Sequence, residues 1–120
     1  MNDYKDLIVW QKSMDLTVEI YKLVKLLPKT ETYAISDQMR RAVVSIPSNI
    51  AEGQGRDSTR EYIYFLNIAR GSCFELETQL RICMNIGYLT EEKVIKSFNL
   101  IDEVGKMLTA IINKLKLKLK

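Results

Sequence analysis

The chain has no histidine among its 120 residues. That one absence removes the Ser-His-Asp triad, the Cys-His dyad and most zinc sites, since each needs an imidazole as base or ligand. It has only 2 cysteines, Cys73 and Cys83. On a single helix they would stand about 15 Å apart along the axis, beyond the roughly 7 Å Cα spacing that a disulfide allows. They are therefore expected as buried, reduced, core-filling thiols. With 5 glycines and 2 prolines, no linker or low-complexity segment interrupts the chain before its last seven residues, and no internal repeat is visible. No stretch approaches the roughly 18 uncharged apolar residues of a membrane span. The opening MNDYKDLIVWQKSMD carries acids early and lacks the apolar run of a signal peptide, so the cytoplasm is the expected location and no membrane is an expected partner.

What is present is ordinary for one globular domain: 47% hydrophobic and 28% charged residues. The net charge of +3 is unevenly placed. The last seven residues, KLKLKLK, hold Lys114, Lys116, Lys118 and Lys120, and the remaining 113 carry 14 basic and 15 acidic groups. A near-neutral body over residues 1–113 is thus followed by 114–120, a basic tail or the end of the last helix.

Helical spacing dominates. A first helix is predicted from about Asp6 to Leu27, with Trp10, Met14, Thr17, Tyr21 and Val24 on one stripe and Val9, Leu16, Ile20, Leu23 and Leu27 beside it. Pro28 ends it, because proline disfavours helical geometry in the residue before it. A second helix covers about Thr32 to Glu52, with Gly53 and Gly55 as its stop. Ser58-Thr59-Arg60-Glu61 reads as a capping box opening the third helix. From there Tyr62, Leu66, Ala69, Cys73, Leu76, Leu80 and Cys83 hold a 4-3 seam until Gly87. Thr90 caps a fourth helix, with Glu91 and Glu92 at its positive end. Its seam is Val94, Phe98, Ile101, Gly105, Leu108, Ile112 and Leu115. Four such helices with short connections predict an all-α, antiparallel up-and-down four-helix bundle.

The stretch RRAVVSIPSNIAEGQGR, residues 40–56, carries two stripes. Ile35, Met39, Ala42, Val43, Ile46 and Ile50 form an apolar one. Gln38, Arg41, Ser45, Asn49, Glu52 and Arg56 form a polar one adjacent to it rather than opposite. Polar groups on such a border are expected to face a partner helix or a second subunit, where they must be paired. Pro47 removes the hydrogen bond to the Val43 carbonyl, so a kink is expected, with Ser45 and Ser48 placed to satisfy the freed group.

The runs DLIVWQKSMDLTVEIYKL, YAISDQMRRAVVSIPSNIAEGQGR and EYIYFLNIARGSCFELETQLRICMNIGYL resemble a four-helix-bundle family. Its members include proteins encoded within intervening sequences of bacterial 23S ribosomal RNA genes. The resemblance covers about residues 3–90; SIPSNIAEG, the following GR, the GS pair and ELETQL are its most specific parts. It implies a homopentamer of bundles, a ring. The chain is also similar to the accessory protein of diversity-generating retroelements, a pentameric barrel that binds nucleic acid and a reverse transcriptase. The family's motif positions fall on Arg40, Arg41, Ser45, Pro47, Asn49, Glu52, Gly53, Gly55, Arg56, Gly71, Ser72, Glu75, Glu77 and Gln79. On the third helix Gly71 lies outward, where a glycine costs about 1 kcal/mol of helix propensity and close approach by a neighbouring subunit would justify it. Glu75, Glu77 and Gln79 lie off the seam. They are candidates for ion pairing with Arg40 or Arg41, within or between subunits, or for direct ligand contact.

Three function classes follow. A catalyst would have to use Glu52, Glu75 or Glu77 with no histidine, nucleophile or metal cluster beside them, so no enzyme activity, cofactor or metal is expected. Gly53, Gly55 and Arg56 lack the strand and the Lys-Ser/Thr of a nucleotide loop and read as a turn. A homo-oligomer associated with RNA or DNA would use Arg40, Arg56 and the four tail lysines for phosphate contacts. An oligomeric scaffold for a protein partner such as a reverse transcriptase, without nucleic-acid binding, is the alternative. In either oligomer the polar border of the second helix and the outward face of the third are the expected interface. Arg41, Ser45, Pro47, Asn49, Glu52, Gly53, Gly71, Glu75 and Glu77 are then structural residues.

Overall fold

The computed structural model describes residues 3–119 and is helical throughout, with no strand among them. Four helices follow in order: α1 (Ile8–Val24), α2 (Ile35–Gln54), α3 (Thr59–Asn85) and α4 (Glu91–Leu117). Short 3-10 turns occupy Tyr4–Asp6 and Lys29–Glu31. The bundle measures 47 × 22 × 21 Å. Helix α1 packs on α2 and α4, and α3 also packs on α2 and α4, so α1 and α3 sit on the diagonal.

Cross-helix contacts set the directions. Lys12 pairs with Glu103 at 3.0 Å and Lys96 with Glu19 at 3.4 Å. The Ser72 hydroxyl donates to Ser45 Oγ at 2.9 Å, and Cys83 Sγ meets Met39 Sδ at 3.8 Å. Arg70 donates to Thr109 Oγ1 at 3.3 Å, and the Arg81 guanidinium lies 4.9 Å from the Phe98 ring centre. In every pair one number rises as the other falls, so each neighbouring pair is antiparallel. The four-helix bundle predicted from periodicity is the observed fold.

The core follows most of the predicted seams on α2, α3 and α4, although Tyr62, Phe98 and Leu115 are only half-buried. On α1 the buried stripe is Val9, Leu16, Ile20, Leu23 and Val24, continued by Leu27 just past its end, whereas Met14 and Tyr21 are exposed. Both stripes of α1 are apolar enough to be buried, and the one that faces α2 and α4 wins. On α4, Val104 takes the core place expected of Gly105. Both cysteines are free and buried. Burial, then the nearby Glu77, pushes the Cys73 thiol up to about 12, and burial pushes Cys83 up as well.

Helix ends shift for local reasons. Past Val24 the chain tightens into i→i+3 bonds, Leu26 to Leu23 at 2.9 Å and Leu27 to Val24 at 3.1 Å, before Pro28. Ala34 has a non-helical backbone, so α2 starts at Ile35 rather than Thr32. Ser58 Oγ accepts from the Glu61 amide at 3.1 Å and Thr90 Oγ1 from the Lys93 amide at 3.4 Å, as caps should. Gly87 closes α3 with φ +85°, a conformation that favours glycine. Gly53 and Gly55 do not stop α2 in that way. The helix runs through Gly53 to Gln54, and Gly55 has an ordinary φ of −81°.

Candidate functional site

Apart from the exposed Gln38, the polar border of α2 finds partners inside the chain. Asn49 Nδ2 donates to the Ser45 carbonyl at 2.7 Å and to Ser45 Oγ at 2.9 Å, and Ser45 Oγ also receives the Ser72 hydroxyl from α3. The Ser45 hydroxyl is thus engaged toward α3. Helix α2 continues through the buried Pro47. Arg41 does not reach the third helix. Its side chain is 80% exposed and pairs with Asp37, one turn back, at 2.9 Å. Arg40 donates to the Thr32 carbonyl at 2.9 Å and lies 3.9 Å from Asp37. The α3 carboxylates likewise find partners on their own helix: Gln79 donates to Glu75 at 3.2 Å, and Arg81 pairs with Glu77 at 3.2 Å. The expected pairing of Arg40 or Arg41 with Glu75 or Glu77 therefore does not form within the chain. A partner four residues away on the same helix is already in reach, whereas the next helix is not.

Gly53 has a role that reading it as a stop misses. A Cβ there would stand 2.8 Å from Phe65 Cβ and 3.0 Å from Tyr62 Cδ1, so only glycine lets α2 and α3 approach this closely. Gly71 is the opposite case, outward as predicted, with nothing within 4 Å of a Cβ. Around it on α3, Tyr64, Phe74 and Ile82 form an exposed apolar stripe, with Phe74 66% exposed. Between α3 and α4 a groove of about 310 Å³ runs past Arg70, Phe74 and Glu77, and Gly105 leaves its floor open.

The antiparallel order decides which basic residues meet. The α2–α3 turn and the C-terminus of α4 share one end of the bundle. That end carries Arg56, Arg60, Lys114, Lys116 and Lys118. Arg56 is held by Glu52 at 2.7 Å and stacks 4.9 Å from the Phe65 ring centre. Arg60, Lys114, Lys116 and Lys118 are exposed and make no ion pair among the described residues. The chain stays helical through Lys114 and Lys116 to Leu117, with Lys118 as the cap residue. Lys120 lies outside the described residues. Arg40 belongs to the other end, about 24 Å along α2 from Arg56, so the two arginines do not share a site. Arg60 joins the group through topology alone; its only sequence signal was its place beside the α3 cap.

No helix among the described residues is long and apolar enough to cross a membrane. No curated protein matches the chain. Among solved structures it is similar to a protein of unknown function from the S23 ribosomal protein family of Bacteroides thetaiotaomicron VPI-5482. The identity is 32% and the TM-score 0.82, over 88% of this chain and 98% of that one. The profile of the 23S rRNA-intervening sequence proteins matches residues 5–110, which takes in α1, α2, α3 and most of α4 and leaves out the first four residues and the lysine-bearing end. By this match over nearly its whole length, the chain belongs to the 23S rRNA-intervening sequence protein family.

Proposed function

We propose that the protein is a non-enzymatic homo-oligomer, a pentameric ring as the family resemblance implies, that associates with RNA or DNA through basic residues at one end of each bundle. The observation that carries this reading is the gathering of Arg56, Arg60, Lys114, Lys116 and Lys118 at the end shared by the α2–α3 turn and the α4 C-terminus. A single copy is a poor binder, because residues 1–113 carry one more acid than base and phosphate contacts dominate affinity. Assembly multiplies the lysine-rich ends. Contacts of this kind position a backbone and carry no base information, so binding is expected to be indifferent to sequence.

Deleting residues 114–120 tests it. If all four lysines contact phosphates, the salt slope falls by up to about 3.6 for duplex DNA or about 2.8 for single strands. Gel-shift titrations at several salt concentrations read the slope, and an unchanged slope and affinity would remove the tail from the interface. The second reading, a scaffold for a protein partner such as a reverse transcriptase, is favoured by the exposed Tyr64 and Phe74 on α3. Failure of both full-length and truncated protein to bind any nucleic acid would select it.

A further inference from the structure

Most of the polar border of α2 is paired within the chain, whereas several large apolar side chains are exposed. Two of them run along diagonal helices, each turned away from the core. One is Met14, Val18 and Tyr21 on α1; the other is the α3 stripe that ends at Ile82 and Ile86. Their heights along the bundle can be compared through α4. The pairs Lys12–Glu103 and Glu19–Lys96 put α1 position 18 level with α4 position 97. The contacts Arg70–Thr109 and Arg81–Phe98 put α4 position 97 level with α3 position 82. Val18, 54% exposed, and Ile82, 44% exposed, thus stand at one height on opposite corners.

Charge follows the same register. Beyond Tyr21 the α1 stripe runs into Lys22 and Lys25, and Lys25 has no ion pair among the described residues. By the same count they stand level with the first turn of α4, beside the end of the α3 stripe. That turn carries Glu91, Glu92 and Lys93, all exposed and also without an ion pair there. One face is therefore apolar and then cationic, and the other is apolar and then net anionic by one charge.

We infer that these two faces are the two halves of one head-to-tail interface between copies of this chain. Val18 packs on Ile82 of the next copy, Tyr21 on its Ile86, and Lys22 and Lys25 lie beside its Glu91 and Glu92. The inference rests on the self-association proposed above and names its surfaces. Rotation about an axis along the bundle preserves height, so only residues at equal height can meet, and these do. Because the faces differ, the contact is heterologous and propagates until rotation closes a ring. Exposed apolar strips of this kind are what such contacts cover.

Cysteines introduced on the surface test the inference, since both native thiols are buried. Under mild oxidation the double variant Val18→Cys/Ile82→Cys should give a covalent ladder in multiples of the 13.9 kDa chain, ending at the ring. Val18→Cys alone and Ile82→Cys alone should give no cross-link above wild type. Lys25→Glu should weaken assembly several-fold at low salt, and adding Glu92→Lys in the same chain should restore it. A cross-link by either single variant alone would mean a two-fold contact and overturn the head-to-tail assignment. An oligomer by light scattering whose double variant does not cross-link would also overturn it, with self-association intact. A monomer by light scattering would remove self-association itself.

Discussion

Exchanging glycine for alanine should have opposite signs at Gly53 and Gly105. Alanine is the better helix former by about 1 kcal/mol, and at Gly105 a Cβ meets nothing within 4 Å. Gly105→Ala should therefore stabilise by close to that amount. At Gly53 the new Cβ would lie 2.8 Å from Phe65 Cβ and 3.2 Å from the Tyr62 carbonyl oxygen. Neither atom can rotate away, because one is fixed to the α3 backbone and the other is part of it. Relief requires α2 and α3 to move apart, which loosens packing around Ile50 and Leu66, both fully buried. Overpacking of this kind costs about 1–3 kcal/mol, so after the propensity gain Gly53→Ala should lose up to about 2 kcal/mol. For a chain of this size each kcal/mol moves the melting temperature by about 3–6 °C. Thermal unfolding followed by circular dichroism reads the difference, at one protein concentration because association shifts the midpoint. Equal stabilisation in both variants would mean that the helices are not locked at Gly53.

Arg41→Ala should change stability by no more than about 0.5 kcal/mol in urea titrations, since an exposed i,i+4 pair contributes little; a loss near 3 kcal/mol would place the guanidinium on a buried carboxylate after all. Cys73 should resist iodoacetamide in the native protein at pH 9, where an ordinary thiol is half ionised, and labelling at the rate of the unfolded chain would contradict its burial. The raised folded value also has a sign: the thiol's contribution to stability is complete below about pH 9 and is lost as pH rises toward about 12. Cys73→Ala should accordingly flatten the alkaline fall in stability.

Much of the fold was legible because α2, α3 and α4 each carry one dominant apolar stripe. Helix α1 was ambiguous. Met14, Tyr21 and Trp10 carry apolar bodies as large as Leu16 and Ile20, and only the positions of α2 and α4 decide between the stripes. Ser45 does face α3 through Ser72, but the pairing of the other polar groups along their own helices was missed although the information was local. Asp37–Arg41, Ser45–Asn49, Glu52–Arg56, Glu75–Gln79 and Glu77–Arg81 are all i,i+4 pairs in the sequence, and all five form. Gly53 is the contrasting case. Its constraint comes from Phe65 and Tyr62, which lie on the next helix, and nothing adjacent in sequence announces it.

Because these pairs close, the groups left open define what the molecule can still bind. The apolar stripes lie along the long sides on α1 and α3, and the unpaired Arg60, Lys114, Lys116 and Lys118 lie together at the end where α4 finishes. The mode of assembly then decides whether the cations act together. A two-fold axis across the bundle would send the lysine-bearing ends of two copies to opposite ends of the dimer, and their fields would not add within a screening length of about 8 Å at physiological salt. Rotation about an axis along the bundle keeps every α4 C-terminus on one rim. A chain whose body is net acidic becomes a ring with one basic face, and the potential there grows with each copy while the sides stay near neutral. Head-to-tail packing through Val18 and Ile82 is thus the arrangement that would let so weakly charged a protein hold a phosphate backbone.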